Sequence, residues 1–98
     1  VSMYYDQNGE PIGSMEWATV CEDRAACVVQ QTDVGDYWIS TVWLGLDHSF
    51  MGGPPLIFET MIKHDDAWTE YQERYSTRAE AEEGHRRAVA LVKTGGVS

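Results

Sequence analysis

The sequence predicts a single α+β domain: an antiparallel sheet of about four strands with two helices packed on one face. Three observations support this fold class. The chain has 98 residues, which is enough for one hydrophobic core but not for two. Residues 37–44 carry large apolar side chains at odd and even positions alike, a pattern typical of a central strand covered on both faces. Residues 77–93 follow the period of an amphipathic helix.

The N-terminal third predicts a short hairpin followed by a helix. Asn8-Gly9 suits a tight turn because both residues tolerate positive φ, and residues 3–6 and 10–12 would form the flanking strands. Ser14 is expected to cap a helix over residues 15–23. The apolar side chains of this helix fall on one side at three- and four-residue spacing: Trp17, Val20 and Cys21.

Four later segments are typical of strands. Residues 27–32 are rich in β-forming side chains, and a turn at residues 34–36 separates them from the central strand. Residues 56–63 alternate as a half-buried strand does. After a polar connection over residues 64–70, residues 71–76 are expected to form an edge strand.

The last helix has the clearest start and stop signals. Thr77 and Glu80 form a T-x-x-E capping box, and Gly95-Gly96 should end the helix after Lys93. A narrow apolar stripe along this helix would pack on the sheet: Ala81, His85, Ala88 and Val92. We expect the histidine of this stripe at the edge of the core, bonded to a backbone carbonyl.

The charge of the chain restricts its partners. Sixteen acidic and seven basic residues give a formal net charge of −9, which argues against direct binding of nucleic acid or of anionic membranes, because both would be repelled. Residues 1–62 hold nine acids and one base, whereas residues 63–98 are nearly balanced. Such a distribution is explained by solubility alone, and the alternative is that it steers a basic partner to the protein.

The cysteines and the second histidine predict no metal or other cofactor. Cys21 and Cys27 have no zinc or redox spacing, and the run His64-Asp65-Asp66 lacks the pattern of a calcium loop, so we interpret it as a solvated turn. No stretch approaches the roughly 18 apolar residues of a membrane span, and no signal peptide is recognised. We therefore expect a cytoplasmic protein with free thiols, a disulfide between the two cysteines being the alternative.

The loop over residues 46–55 holds the candidates for chemistry. Asp47 and His48, with Glu59 on the following strand, supply the groups of a general acid–base site or of a metal site, and Ser49 would be a nucleophile or a hydrogen-bond donor. No fixed spacing ties these groups to one helix face. The alternative is therefore that Asp47 and His48 hydrogen-bond the local backbone.

Binding residues are expected in the same loop and among the tryptophans. Gly52 and Gly53 permit unusual dihedral angles and precede two prolines rather than a helix, so their role is conformational and not phosphate binding. Trp43 and Trp68 are the aromatic candidates for a partner surface, above all Trp68, because it lies in a polar connection. The complete set of predicted binding residues is Trp43, Asp47, His48, Gly52, Gly53 and Trp68.

Two runs of the sequence carry a resemblance. Residues 40–50 have the sequence STVWLGLDHSF, and residues 52–61 have the sequence GGPPLIFETM. Together they resemble a family of small bacteriophage proteins of the actinobacteriophage type, and the likeness extends over most of the chain but is weakest over residues 63–73. The resemblance implies a phage origin and a role in the cytoplasm of the infected host cell. It supplies no catalytic residue.

These observations favour a non-enzymatic accessory protein that binds a host or phage macromolecule, with inhibition of a host or defence protein by charge mimicry as the sharper version. One alternative is a small ligand- or metal-binding protein, or an enzyme, that uses the Asp47-His48 loop. Another is a minor virion or assembly component. Homo-oligomers are a further option, because the predicted edge strand presents side chains that would pair across a two-fold axis: Tyr71, Glu73 and Tyr75.

Overall fold

The computed structural model describes residues 3–47 and 53–96 of the chain. Within these ranges the elements are β1 (Tyr4–Tyr5), β2 (Pro11–Ile12), α1 (Ser14–Glu22), α2 (Arg24–Cys27), β3 (Val28–Val34), β4 (Tyr37–Trp43), β5 (Phe58–His64), β6 (Ala67–Tyr75) and α3 (Arg78–Lys93). Strands β1 and β2 form a ribbon, and β3 to β6 form the predicted four-stranded antiparallel sheet, so the α+β class is confirmed. None of the described helices is long and apolar enough to span a lipid bilayer.

The sheet has the order β3-β4-β5-β6, so each strand pairs with its neighbours in sequence. Strand β4 therefore lies between β3 and β5, as predicted for the central strand. Its register with β5 places Trp43 opposite Phe58. Because side chains alternate between the faces of a sheet, one face of β4 carries Ile39, Thr41 and Trp43 and the other carries Trp38, Ser40 and Val42.

Helix α3 packs along one face of this sheet. The predicted capping box closes its first turn: the Thr77 hydroxyl accepts the Glu80 N–H, and the Glu80 carboxylate accepts the Thr77 N–H. Near its end the helix forms a core cluster with Ile39 and Ile62 of the sheet through Ala88 and Val92. The predicted stripe is buried, with one glycine added: Ala81, Gly84, His85, Ala88 and Val92.

The ribbon and helix α1 close the end of the sheet at which β4 finishes. A second core cluster lies there, and its members are Trp43, Ile57, Phe58, Tyr75 and Ala81. Trp17 and Val20 of α1 pack against this cluster, so α1 and α3 share one hydrophobic contact region. The indole N–H of Trp17 donates to the Leu44 carbonyl at 2.9 Å, which fixes α1 to the end of the sheet.

Two details of the N-terminal third differ from the prediction. Gly13, and not Ser14, is the N-cap of α1, and no side chain caps that helix, because Ser14 is already its first residue. The short helix α2 lies where a strand was expected to begin at Cys27. The Asp23 carboxylate accepts the Ala26 N–H and so starts a new helical turn, which here outweighs the β-propensity of the following residues.

A third difference is the length of β6. This strand begins at Ala67, so the end of the predicted polar connection belongs to the sheet. A tight turn at Asp65-Asp66 makes this possible, with Asp65 at φ +54 in the left-handed region that aspartate tolerates. A register shift in β6 follows the turn, and the Thr69 hydroxyl donates to the Ile62 carbonyl at 2.8 Å.

The second face of the sheet is open, because no described helix lies over its centre. Ser40 is buried there, but Trp38 and Val42 are only half-buried. The expected cover on both faces of β4 is therefore incomplete. Helices α1 and α2 border this open face at one end, and the candidate site lies on it.

Gly84→Ala is expected to destabilise the domain, although alanine is the better helix former. A Cβ at position 84 would overlap the ring of Tyr75, which packs directly on the α3 backbone. We expect the free energy of unfolding to fall by about 1–3 kcal/mol, the usual cost of overpacking a core. Urea unfolding measures this loss, and the exposed substitution Ala90→Gly is the control for helix propensity alone. A Gly84→Ala variant as stable as the wild type would contradict this packing.

Candidate functional site

The open face of the sheet holds a groove of about 440 Å³, which we call the open-face groove. Its floor is formed by β4 and β5 side chains that point away from α3, with the α1–α2 junction at one end and Trp68 at the other. Its apolar walls include Cys21, Cys27, Val28, Val42, Met61 and Trp38. Four of the described residues that line the groove have polar or charged side chains: Arg24, Gln31, Ser40 and Glu59. This volume and this mainly apolar lining are typical of a binding site.

The outer end of the groove is a pair of tryptophans with a lysine over them. Trp38 lies opposite Lys63 on β5, and Lys63 lies opposite Trp68 on β6, so the three form a row across the sheet. The two indole centroids are 6.0 Å apart, and Lys63 Nζ lies 6.0 Å from the Trp38 centroid and 5.6 Å from that of Trp68. Trp68 is 51% exposed, so it is available to a partner. Its role in binding stays a prediction.

Glu59 lines the groove and is held through one of its two oxygens. Oε2 accepts hydrogen bonds from Arg74 Nε at 3.0 Å and from Gln72 Nε2 at 2.9 Å, both on β6. Oε1 accepts none from any described residue. Glu59 is only 8% exposed, yet no fully buried side-chain oxygen of the described chain lacks a partner, so Oε1 keeps contact with solvent in the groove. Glu59 thus offers an acceptor on a mainly apolar floor.

Asp47 acts on the backbone, as the alternative interpretation of its loop expects. Its Oδ1 accepts the Leu56 N–H at 3.0 Å, and its own N–H donates to the Met3 carbonyl at 2.9 Å. Asp47 therefore ties the two ends of its loop together and connects them to the backbone at Met3. His48, Ser49 and Gly52 lie outside the described residues, so the acid–base pair and the other roles assigned to them stay predictions.

Two further candidates have structural roles. Trp43 is 3% exposed and donates from Nε1 to the Tyr5 carbonyl at 3.1 Å. It borders the groove, but its bulk serves the core rather than an exposed partner surface. Gly53 is exposed at φ +85, a conformation that glycine adopts without strain, as its expected conformational role requires.

A chain of buried hydrogen bonds joins α3 to the sheet, and we call it the polar seam. His85 is fully buried and bonds the Thr41 hydroxyl through Nδ1 at 2.7 Å and the Thr32 hydroxyl through Nε2 at 2.8 Å. Thr41 bonds Thr60 at 2.5 Å, and the Tyr75 hydroxyl donates to Thr60 at 3.2 Å. The prediction that His85 bonds a backbone carbonyl is therefore wrong. Two threonines distant in sequence take its place.

The donors and acceptors of the polar seam match when His85 is neutral. Tyr75 donates to Thr60, Thr60 to Thr41 and Thr41 to Nδ1, which leaves the Nε2–H to donate to Thr32. Burial lowers the pKa of His85, because the protein interior disfavours the charged ring. If Nδ1 were protonated, it would donate to the Thr41 hydroxyl, and Thr41 would then have to donate to Thr60. Thr60 would receive hydrogen bonds from both Thr41 and Tyr75, and its own hydroxyl proton would have no acceptor within the seam.

The cluster around His64 is exposed. His64 stacks on Tyr37, with ring centroids 4.3 Å apart and planes inclined by 11°. Asp36 of the neighbouring turn stands beside His64 and Asp65, and atoms of these three that could bind a metal lie within 4.8 Å of one another. All three residues are solvent-exposed, in keeping with the predicted solvated turn. In the described chain His64 forms no such group with His85.

The two cysteines form the inner end of the open-face groove as free, half-buried thiols. The Cys27 thiol donates weakly to the Asp23 and Val20 carbonyls at 3.6 and 3.8 Å. Burial, and then the neighbouring Cys21, raise the pKa of Cys27 above the ordinary value of a thiol. The thiol is therefore protonated at neutral pH and forms an apolar wall rather than a nucleophile.

Nine of the acidic residues fall into two groups away from the centre of the sheet. One group stands at the two turns beyond the tryptophan pair: Asp33, Asp36, Asp65 and Asp66. The other stands on the ribbon, α1 and the residue that follows it: Asp6, Glu10, Glu16, Glu22 and Asp23. The acids of residues 1–62 therefore do not share one face, and negative charge flanks the groove on two sides.

Comparison of the chain with protein-family models, with curated proteins and with solved structures finds no match in any of the three.

Trp38, Met61 and Lys63 are among the side chains of this site that were not predicted from the sequence. The signal for them is the alternation in residues 37–44 and 56–63, where a second set of side chains faces away from the set that α3 covers. Among the described elements a single long amphipathic helix follows these strands, so the second set has no described helix of its own to cover it.

Stability is expected to fall as the pH drops below about 6.5, because the pKa of His85 is lower in the folded protein than in the unfolded chain. The contribution of neutral His85 to the free energy of unfolding is complete above the pKa of histidine in the unfolded chain. It is lost as the pH falls towards the pKa of His85 in the folded protein, by at most about 1.4 kcal/mol per pH unit. Urea unfolding between about pH 7.5 and 5 measures this slope. His85→Gln should reduce the slope, and His64→Gln, at an exposed histidine, is the control. Equal slopes in wild type and His85→Gln would show that this site does not control the pH dependence.

Proposed function

We propose that this chain is a phage-encoded, non-enzymatic accessory protein that acts in the cytoplasm of the infected host cell by binding a host or phage protein. The open-face groove is its binding surface. The observation that carries this proposal is the exposed Trp68, set against Trp38 and Lys63 on a sheet face without a described helix over its centre.

The tryptophan pair is the chemical reason for this choice. Tryptophan is enriched among the residues that dominate the energy of protein interfaces, because it buries a large apolar area with few rotatable bonds. Trp68 is not an isolated exposed residue, since the groove continues from it to Met61 and Val42. A contiguous apolar surface on a small domain is typical of an interaction site.

The charge supports a protein partner with a basic surface. The net charge of −9 and the acids at both ends of the groove attract such a surface and repel nucleic acids and anionic membranes. The resemblance of residues 40–61 to small phage proteins supports the phage origin.

The described contacts favour binding over catalysis. Asp47 holds the Leu56 N–H, and Glu59 is bound to Arg74 and Gln72. Both carboxylates of the predicted acid–base site therefore have structural partners.

Trp68→Ala is expected to abolish capture of the partner. Loss of a tryptophan anchor costs about 2 kcal/mol or more in an interface, which is roughly thirtyfold in Kd. The immobilised variants are exposed to lysate of infected and of uninfected actinobacterial cells, and the retained proteins are identified by mass spectrometry. Met15→Ala is the matched control, because Met15 is an exposed apolar residue, at 83%, that does not line the groove.

The expected result is one specific protein retained by the wild type and by Met15→Ala and lost with Trp68→Ala. Thermal unfolding of the three chains confirms that the half-exposed side chain was removed without loss of the fold. Failure of the wild type to retain any specific protein at low or moderate salt would count against the proposal. So would retention of the same protein by Trp68→Ala.

A further inference from the structure

The uncommitted oxygen of Glu59 indicates which chemical group the open-face groove takes. Oε2 is occupied by Arg74 and Gln72, whereas Oε1 accepts no hydrogen bond from a described residue and meets solvent in the groove. A purely apolar ligand lying over this floor would strip water from Oε1 and offer nothing in return. A ligand with a hydrogen-bond donor at this point would replace the lost water.

The surroundings of that oxygen favour an aromatic ring. Val42 lies opposite Glu59 in the sheet, and Met61 is the next residue after Glu59 on the same face of β5. Trp68 stands at the outer end as a large face on which a ring can stack or pack edge-on. A flexible methionine adapts to such a ring and makes favourable sulfur–aromatic contacts.

We propose that the groove binds the side chain of a tryptophan or tyrosine in a basic segment of the partner protein, with the ring N–H or O–H donating to Glu59 Oε1. This inference rests on the proposed function and adds the chemistry of the partner to it. The basic character follows from charge complementarity, since Asp33 and Asp65 stand beyond one end of the groove and Glu22 and Asp23 beyond the other. Lysine or arginine residues on either side of the anchor ring would meet these acids.

Two probes that differ only by a methyl group on the ring nitrogen test the hydrogen bond without changing the protein. Indole carries the N–H donor, and 1-methylindole does not. Binding is followed by the backbone amide shifts of the ¹⁵N-labelled full chain. We expect indole to shift amides around residues 40–42 and 59–61, and 1-methylindole to bind at least about tenfold more weakly, as the loss of a hydrogen bond to a carboxylate predicts. Trp68→Ala should weaken indole binding, and Met15→Ala should leave it unchanged.

Equal affinity for the two probes would overturn the assignment of Glu59 as the acceptor. Shifts confined to another part of the chain, or no shift with indole up to its solubility limit, would overturn the site. Neither result depends on a variant that fails to fold, because the wild-type chain is used for both probes.

Two short peptides test the basic segment. Blocked Lys-Trp-Lys is expected to bind severalfold more tightly than blocked Glu-Trp-Glu at low salt, with the difference shrinking as salt is added. Equal binding of the two peptides would overturn the basic flank. The failure of this inference is distinguishable from that of the proposed function. Selective binding of indole with no partner retained from lysate would contradict only the proposed function. Retention that depends on Trp68 without selectivity for indole would contradict only this inference.

Discussion

The polar seam between α3 and the sheet is the constraint on which the rest of the structure depends. Both ring nitrogens of His85 are bonded within it, and no described buried side-chain nitrogen or oxygen lacks a partner. A shift of α3 by one residue would separate the imidazole from Thr32 and Thr41 and leave buried groups unpaired, at about 1–3 kcal/mol each. Apolar contacts such as that of Val92 with Ile62 are far less directional, so they would tolerate several positions. The polar seam therefore fixes α3 in one position on the sheet.

The same register decides which face of the sheet stays open. Thr41 lies opposite Thr60, and both point towards α3. Alternation therefore places Val42 and Glu59, the next opposed pair, on the other side, where they form the floor of the groove. A slip of one residue in either strand would exchange the two sets of side chains. The seam and the groove are thus two consequences of one pairing, and a variant that disturbs the first will disturb the second across the thickness of the sheet.

Local signals predicted the parts of this fold that depend on near neighbours. The capping box of Thr77 and the stripe on α3 are of this kind, because one or two turns of helix contain the whole interaction. The early start of β6 depends instead on pairing with β5 across the Asp65-Asp66 turn, and polar residues give no strand pattern of their own. The groove is harder still to predict, since Trp38 and Trp68 meet only because the β5–β6 hairpin places Lys63 between them. The two threonine partners of His85 likewise become neighbours only through the sheet.

Lys63 explains how the sheet can carry two partly exposed tryptophans without presenting their full apolar area to water. Its Nζ lies within 6.0 Å of both ring centroids, so its side chain extends over the pair. A lysine covers apolar surface with its methylene groups while its charge stays hydrated. Its cation–π contact at an exposed site contributes only about 0.5–1 kcal/mol, so a partner that buries more of the rings displaces it at small cost. Leucine at this position would add to a permanent apolar patch. Lysine instead keeps the face hydrated in the free protein and still open to an aromatic anchor.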